Sequence, residues 1–258
     1  MVNSVAFDRY DEEEFLREDE RPNTVRVVVP SWKGGRWAPV RPSVVRSLYP
    51  TVEACGDVLK WSSAAVRATF DVADAPAAFV PDLEVTRRAE TVVVHFLDAD
   101  GRRADLLREV VEGMAAGDVR VRLVSPALAE DRVVRRAAGL YTMRGDVRSY
   151  ASGEALPTWP DRWDEVLERW LGRGGGTVED FVRGAPDDVS MGPGGAGAFL
   201  AAAVSRGRAS VDFEADPSSP VTFRAPGTHP RPDLERLMRV YDASAIEPDD
   251  GLRLHSTR

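Results

Sequence analysis

The sequence predicts an α/β protein: a mixed sheet flanked by helices in the first half, then a smaller, mostly helical segment carrying a β-hairpin. Three observations lead there. Short runs rich in β-branched residues, such as "VRVVV", "ATFDV" and "TVVVHFL", have the length and composition of strands. From residue 90 to 125 a strand pattern, a helical pattern and another strand pattern follow one another, the spacing of a βαβ unit with parallel strands. After residue 145 the texture changes to amphipathic helices, glycine runs and two short strand-like stretches.

The bulk properties fit this. A chain of 258 residues suits one large domain or two small ones. With 43% apolar and 29% charged residues it has the composition of a globular chain rather than a disordered one. The longest apolar runs are too short to span a bilayer, the N-terminus lacks an apolar signal core, and the single cysteine, Cys55, gives no internal disulfide. The expectation is a cytoplasmic protein with no membrane contact. The net charge of −8 argues against a surface coated in basic groups, but the charge is uneven. Residues 1–22 hold eight acids against three arginines, whereas residues 23–70 hold seven bases against Glu53 and Asp57.

Residues 1–22 are expected to be a charged, partly disordered leader, with room for a short helix at "DEEEFLRED". "TVRVVVPSW" reads as a strand stopped by Pro30, and "KGGRWAPVRP" as a Gly/Pro-rich turn carrying Lys33, Arg36, Trp37 and Arg41. Ser43 is placed to cap one short helix and Thr51 a second that runs to Leu59, with Pro50 between them. Residues 64–72, 77–87 and 90–99 read as strands, the last two joined as a hairpin through "RRAE". Leu106, Val110, Val111 and Met114 fall at helical spacing up to Gly117. A strand over 119–125 and a helix in "LAEDRVVRRAAGLY" close a first domain, 23–150.

In the remainder, 151–258, "DRWDEVLERWLGRGGG" presents Trp163, Val166, Leu167 and Trp170 on one helical face. Thr177 and Asp180 form a capping-box pattern. A helix in "GAGAFLAAAVSRG", strands in "ASVDFEA" and "PVTFRAP", and a helix in "PDLERLMRVYDA" follow. This composition is that of a small adaptor or winged-helix-like domain.

The stretch "FVPDLEVTRRAETVVVHFLDADG" raises a chemical question. Endonucleases of the PD-(D/E)xK kind place the Asp of a Pro-Asp pair at the head of one hairpin strand and an acid-x-lysine pair on the next. Side chains two apart on a strand share a face, so the acid holds Mg²⁺ while the lysine serves the attacking water. Pro81-Asp82 supplies the first part. Where the second belongs, the chain has His95-Phe96-Leu97, with Asp98 and Asp100 beyond.

The order "VPSWKGGRW", "SLYPTVEACGDVL", "FVPDLEVTRRAETVVVHFLDADGRR", "LLREVVEGMAAGDVRVRLVS" and "VVRRAAGLY" resembles TnsA-like endonuclease subunits of heteromeric transposases over residues 24–145. The resemblance implies a restriction-endonuclease-like fold, and it implies DNA, a transposase or an ATPase-regulator subunit as partners in a multi-subunit assembly. It implies Mg²⁺ as cofactor if the chain is active. Two departures point to impaired or lost cleavage. Tyr49-Pro50-Thr51 stands where the family has Tyr-Glu-Ser, leaving Glu53 as the nearest helical carboxylate. His95-Phe96-Leu97 stands where it has acid-x-Lys. Asp82 alone matches. Residual catalysis would fall to Asp82, Glu53 and His95, with Asp82 and Asp98 on the metal. Lys33, Arg36, Trp37 and Arg41 are the candidate DNA contacts.

Each has a plainer reading. Asp82 is then a strand-start residue, His95 a core histidine, Glu53 a helix-surface acid, and Trp32, Lys33, Arg36 and Trp37 a basic turn whose indoles pack on the core. The alternative for the whole chain is a non-enzymatic structural or regulatory subunit that keeps only the fold. "GPGGAGAF" (192–199) matches G-x-G-x-x-G at a helix start, but no strand pattern precedes it, as a dinucleotide site requires.

Overall fold

The computed structural model describes residues 2–9, 27–63, 66–72, 75–88, 90–97, 104–115, 121–142, 156–186 and 192–243. The first departure from expectation is at the N-terminus. Residues of the supposed leader form a strand, β1 (Val2–Arg9), paired antiparallel with a strand sixty residues on. Its Val2, Val5, Ala6 and Phe7 give it more strand-forming residues than the rest of the acidic segment. The "DEEEFLRED" helix lies outside the described residues.

Strands β2 (Val27–Ser31) and β3 (Arg36–Val40) form a hairpin, so Arg36 and Trp37 sit on a strand rather than in a turn. Gly35 takes φ +74°, the left-handed backbone the tight connection needs. Helix α1 (Pro42–Val45) begins with Pro42 at its first position, where the missing N–H costs nothing; Ser43 lies inside the helix, not at its cap. Helix α2 (Leu48–Ala54) accommodates Pro50 for the same reason, within its first turn. The helix expected to reach Leu59 stops at Ala54, and strand β4 (Val58–Ser63) takes over. The apolar Val58 and Trp61 are buried there.

Strands β5 (Val66–Val72) and β6 (Ala75–Phe79) join β1 in a three-stranded sheet, β1-β5-β6. The single strand expected over 77–87 is therefore two, in different sheets. Pro81, with no N–H to give a ladder, marks the crossing. Strands β7 (Leu83–Arg87) and β8 (Thr91–Phe96) form the expected hairpin, with Leu83 opposite Val94. Helix α3 (Ala104–Ala115) then leads to β9 (Val121–Val124), which runs parallel to β8 as the βαβ spacing requires. The central sheet has the order β4-β7-β8-β9.

A 3₁₀ turn (Pro126–Glu130) and α4 (Arg132–Thr142) follow, then α5 (Asp161–Gly172), α6 (Val178–Gly184), α7 (Pro193–Ser205), the two-residue strands β10 (Ser210–Val211) and β11 (Phe223–Arg224), and α8 (Leu234–Val240). The capping box at Thr177 and Asp180 forms as the sequence indicates. Among the described residues, no helix is long and apolar enough to cross a membrane.

Alternation along β8 divides the molecule into two cores. Val92, Val94 and Phe96 belong to a large cluster that runs from Val29 through α2, α4, α5 and α7 to Met238. Val93 and Leu97 belong to a smaller one, formed with Phe70, Phe79, Val110 and Met114. The helices of 151–258 thus share a core with the first half. Their aromatic face packs inward: Trp163 and Trp159 meet Phe199 edge-on at 5.2 and 5.4 Å, and Trp170 meets Phe181 at 5.0 Å.

Candidate functional site

Asp82 sits just before β7, and its amide donates to Val94 O (3.1 Å) on the neighbouring strand. Pro81 ends the ladder there. The next available amide of β8, that of Phe96, is taken instead by Asp82 Oδ2 at 2.7 Å. The carboxylate therefore lies over the end of β8, beside His95, whose Nδ1 is 3.1 Å from Oδ2. That approach is out of line for a hydrogen bond; it is an electrostatic contact, with the ring held edge-on against Phe79 at 4.8 Å. The register thus brings positions 82 and 95 together. Leu97 goes elsewhere: its amide continues the sheet to Val124 O (2.9 Å), and its side chain joins the smaller core.

The decisive neighbour is Arg41. At the end of β3, its extended backbone (φ −66°, ψ 148°), favoured before Pro42, sends the guanidinium across to Asp82. Nε reaches Oδ1 at 2.5 Å and Nη2 reaches Oδ2 at 2.9 Å, a bidentate fork. Nη2 also donates to Phe96 O at 2.6 Å. Burial alone would raise the Asp82 carboxyl, but the His95 ring and the Arg41 guanidinium outweigh it and hold it well below the usual carboxylate range.

Glu53 belongs to a different network. It is fully buried on α2. Its Oε1 accepts from Trp61 Nε1 (2.6 Å) and its Oε2 meets Ser205 Oγ at 2.5 Å. Ser205 Oγ also lies 3.1 Å from Tyr141 Oη. Burial pushes the Glu53 carboxyl upward, against the lowering influence of Lys33, Ser205 and Trp61. The reading of Glu53 as a surface acid is thus corrected, and its partners are not those of Asp82. Asp98, the second expected metal ligand, lies outside the described residues.

Lys33, Arg36, Trp37 and Arg41 do not form one outward face. Trp37 is buried and Arg41 is committed to Asp82. Lys33 Nζ donates to Val52 O (2.7 Å) and Cys55 O (2.5 Å), closing the C-terminal end of α2. Burial and the neighbouring Arg231 bring its ammonium down to about 8. Arg36, on β3, is partly exposed.

These residues do not fit a divalent cation. Both oxygens of Asp82 are occupied by N–H donors, and a guanidinium sits where a metal would need to approach. Among the described residues no group of three or more His, Cys, Asp or Glu is placed to hold a metal. What sequence reasoning missed is the pairing of Arg41 with Asp82. Forty-one positions separate them, and no local pattern links an arginine before a proline to a distant strand start.

The glycine motif opens α7, with Gly192 at the N-cap and Pro193 next. It borders an apolar cleft of about 590 Å³ walled by Trp32, Trp37, Tyr141 and Phe223, whose one charged lining residue is Glu179. That lining offers a pyrophosphate no cation. No protein-family model matches the chain, and comparison with curated proteins gives no match.

Proposed function

We propose that the chain is a TnsA-like, restriction-endonuclease-fold subunit that has lost cleavage and acts by binding DNA and partner proteins. The observation that carries the reading is the Arg41–Asp82–His95 cluster. The one carboxylate that matches the nuclease pattern is occupied from within by a bidentate arginine, with the His95 ring packed beside it. The supporting context is helix α2, then the β7–β8 pair with Asp82 at the head of β7, then α3 and the parallel strand β9, with β4 and the β5–β6 pair of the other sheet lying between α2 and β7. The resemblance implies a helix, a PD strand, a second strand, a helix and a further strand, and these five elements support the reading.

A second reading is a structural or regulatory subunit of a larger assembly that makes no contact with DNA. The inward placement of Lys33, Trp37 and Arg41 favours it. Supercoiled plasmid incubated with the protein and Mg²⁺ or Mn²⁺ tests the loss of cleavage; nicking that disappears in Asp82→Ala overturns both readings. A gel shift across a salt series separates them. Binding that weakens steeply with salt supports the first, and no shift at low salt supports the second.

A further inference from the structure

A second cleft, of about 840 Å³, lies where the end of α2, the start of β4 and the segment after α7 meet. Four cationic side chains line it, Lys33, Arg88, Arg206 and Arg231, with two acids, Asp57 and Asp233. Both acids are already engaged. Asp57 accepts from the Leu234 amide (2.9 Å) and from Arg87 Nε (2.8 Å), and Asp233 caps α8 through the Arg236 amide (3.0 Å). Arg231 is fixed by three carbonyls, those of Ala54, Glu53 and Ser205, at 2.9, 2.9 and 3.1 Å. Lys33 spends two of its three N–H groups on Val52 and Cys55. Arg88 and Arg206 are exposed, and among the described residues neither has a carboxylate partner.

We propose that this cleft binds phosphate groups. Two fixed and two exposed cations converge on one concavity whose two acids are already engaged, and together they form a local positive field. Guanidinium forks match phosphate oxygens in pairs, and the exposed arginines are free to close on a ligand held against Arg231 and Lys33. Lys33 is lowered first by burial and then by the neighbouring Arg231, and an anion between the two cations would offset the second of these. The glycines at the rim keep the cleft open. A Cβ at Gly56 would come within 3.1 Å of the Arg231 side chain, and Gly207, at φ +74°, turns the chain after α7.

The phosphate has two possible sources, a free phosphorylated ligand or a nucleic-acid backbone. The proposal does not rest on the nuclease reading, since neither Asp82 nor cleavage enters it. The test uses the full chain and the double variant Arg88→Ala/Arg206→Ala, with its fold checked by circular dichroism. Pyrophosphate is titrated by calorimetry, and a labelled DNA duplex by fluorescence anisotropy over a salt series. The expected result is binding of at least one probe by the wild type and a loss of about tenfold or more in the double variant. Pyrophosphate binding identifies a free ligand. Duplex binding alone, with a log–log salt slope that falls by about two in the variant, identifies a backbone. The proposal is overturned if neither probe binds the wild type, or if the double variant binds as well as the wild type does.

Discussion

Arg41 holds Asp82 with two parallel hydrogen bonds, Nε to Oδ1 at 2.5 Å and Nη2 to Oδ2 at 2.9 Å, across forty-one residues of sequence. The pair ties the end of the β2–β3 hairpin to the head of β7, and Arg41 Nη2 adds a bond to Phe96 O on β8. Three segments from separate parts of the chain are therefore fixed at one point.

The first prediction concerns the stability of that point. Removing one member of a buried ion pair strands the other in low dielectric, at a cost of about 3–5 kcal/mol. Arg41→Ala and Asp82→Ala should each lower the unfolding free energy by about that much in urea denaturation. Apolar replacement of both, Arg41→Met with Asp82→Leu, removes the stranded charge, so the double variant should be less destabilised than the sum of the singles. Additive losses would mean that the two side chains are not coupled.

The second prediction is the acid limb. Asp82 has a folded-state value below its ordinary 3.8. Its contribution is therefore present above about pH 4 and is lost as the pH falls through the lower, folded value. The stability difference between wild type and Asp82→Asn should shrink as the pH falls below about 4. A difference that stayed flat down to pH 2.5 would show that the carboxylate carries no linked charge interaction.

Legibility varied with the range of the interactions. The β7–β8 hairpin, the α3 crossover to a parallel β9, the capping box at Thr177 and the aromatic stripe of α5 were all readable, because each depends on neighbours within a few residues or on a single period. Strand β1 was not. The acids that follow it in residues 11–20 coloured the whole segment, and its partner β5 is remote. Strand β4 was hidden because Thr51, a plausible cap, drew the helical reading forward to Leu59. At the candidate site the expectation is Asp82 beside His95 and Leu97; strand register brings His95 to it, whereas Leu97 packs into the smaller core. The sequence could not assign Arg41, Lys33 or Glu53, since their partners come from long-range packing.

The third prediction follows from Lys33. Its ammonium titrates near 8 in the folded chain against 10.5 when free, so between those values the unfolded chain binds more protons and stability rises with pH. The raised thiol of Cys55 and the raised hydroxyls of Tyr49 and Tyr141, all buried, oppose this at the alkaline end. Lys33→Met removes only the lysine's part. Between pH 8 and 10 the wild type should gain stability relative to the variant, by an amount on the order of 1–3 kcal/mol. At pH 7 the variant should still be the less stable of the two, because Val52 O and Cys55 O lose their donor. Parallel pH curves would show that Lys33 keeps its ordinary protonation.

The fourth prediction separates a structural Glu53 from a charged, ligand-holding one. Burial raises its folded-state value above the ordinary 4.5. A raised acid contributes stability that is complete below pH 4.5 and is lost as pH climbs through the folded value. Gln keeps the shape and acceptor that Trp61 Nε1 needs, and its amide can donate towards Ser205 Oγ as a protonated carboxyl would. Glu53→Gln should therefore cost less than about 1.5 kcal/mol near pH 5, and relative to wild type it should improve as the pH is raised towards 8. Glu53→Ala opens a cavity and leaves the Trp61 N–H and the Ser205 hydroxyl unpaired beside Tyr141, at a cost of about 3–4 kcal/mol. The same comparison reads out the seam between the two halves, because Ser205 lies on α7 and Glu53 on α2. Limited proteolysis of the full chain should accelerate in Glu53→Ala and not in Glu53→Gln. If Gln is as damaging as Ala at every pH, the folded chain requires an ionised carboxylate at position 53, and the assignment of Glu53 to a neutral structural network fails.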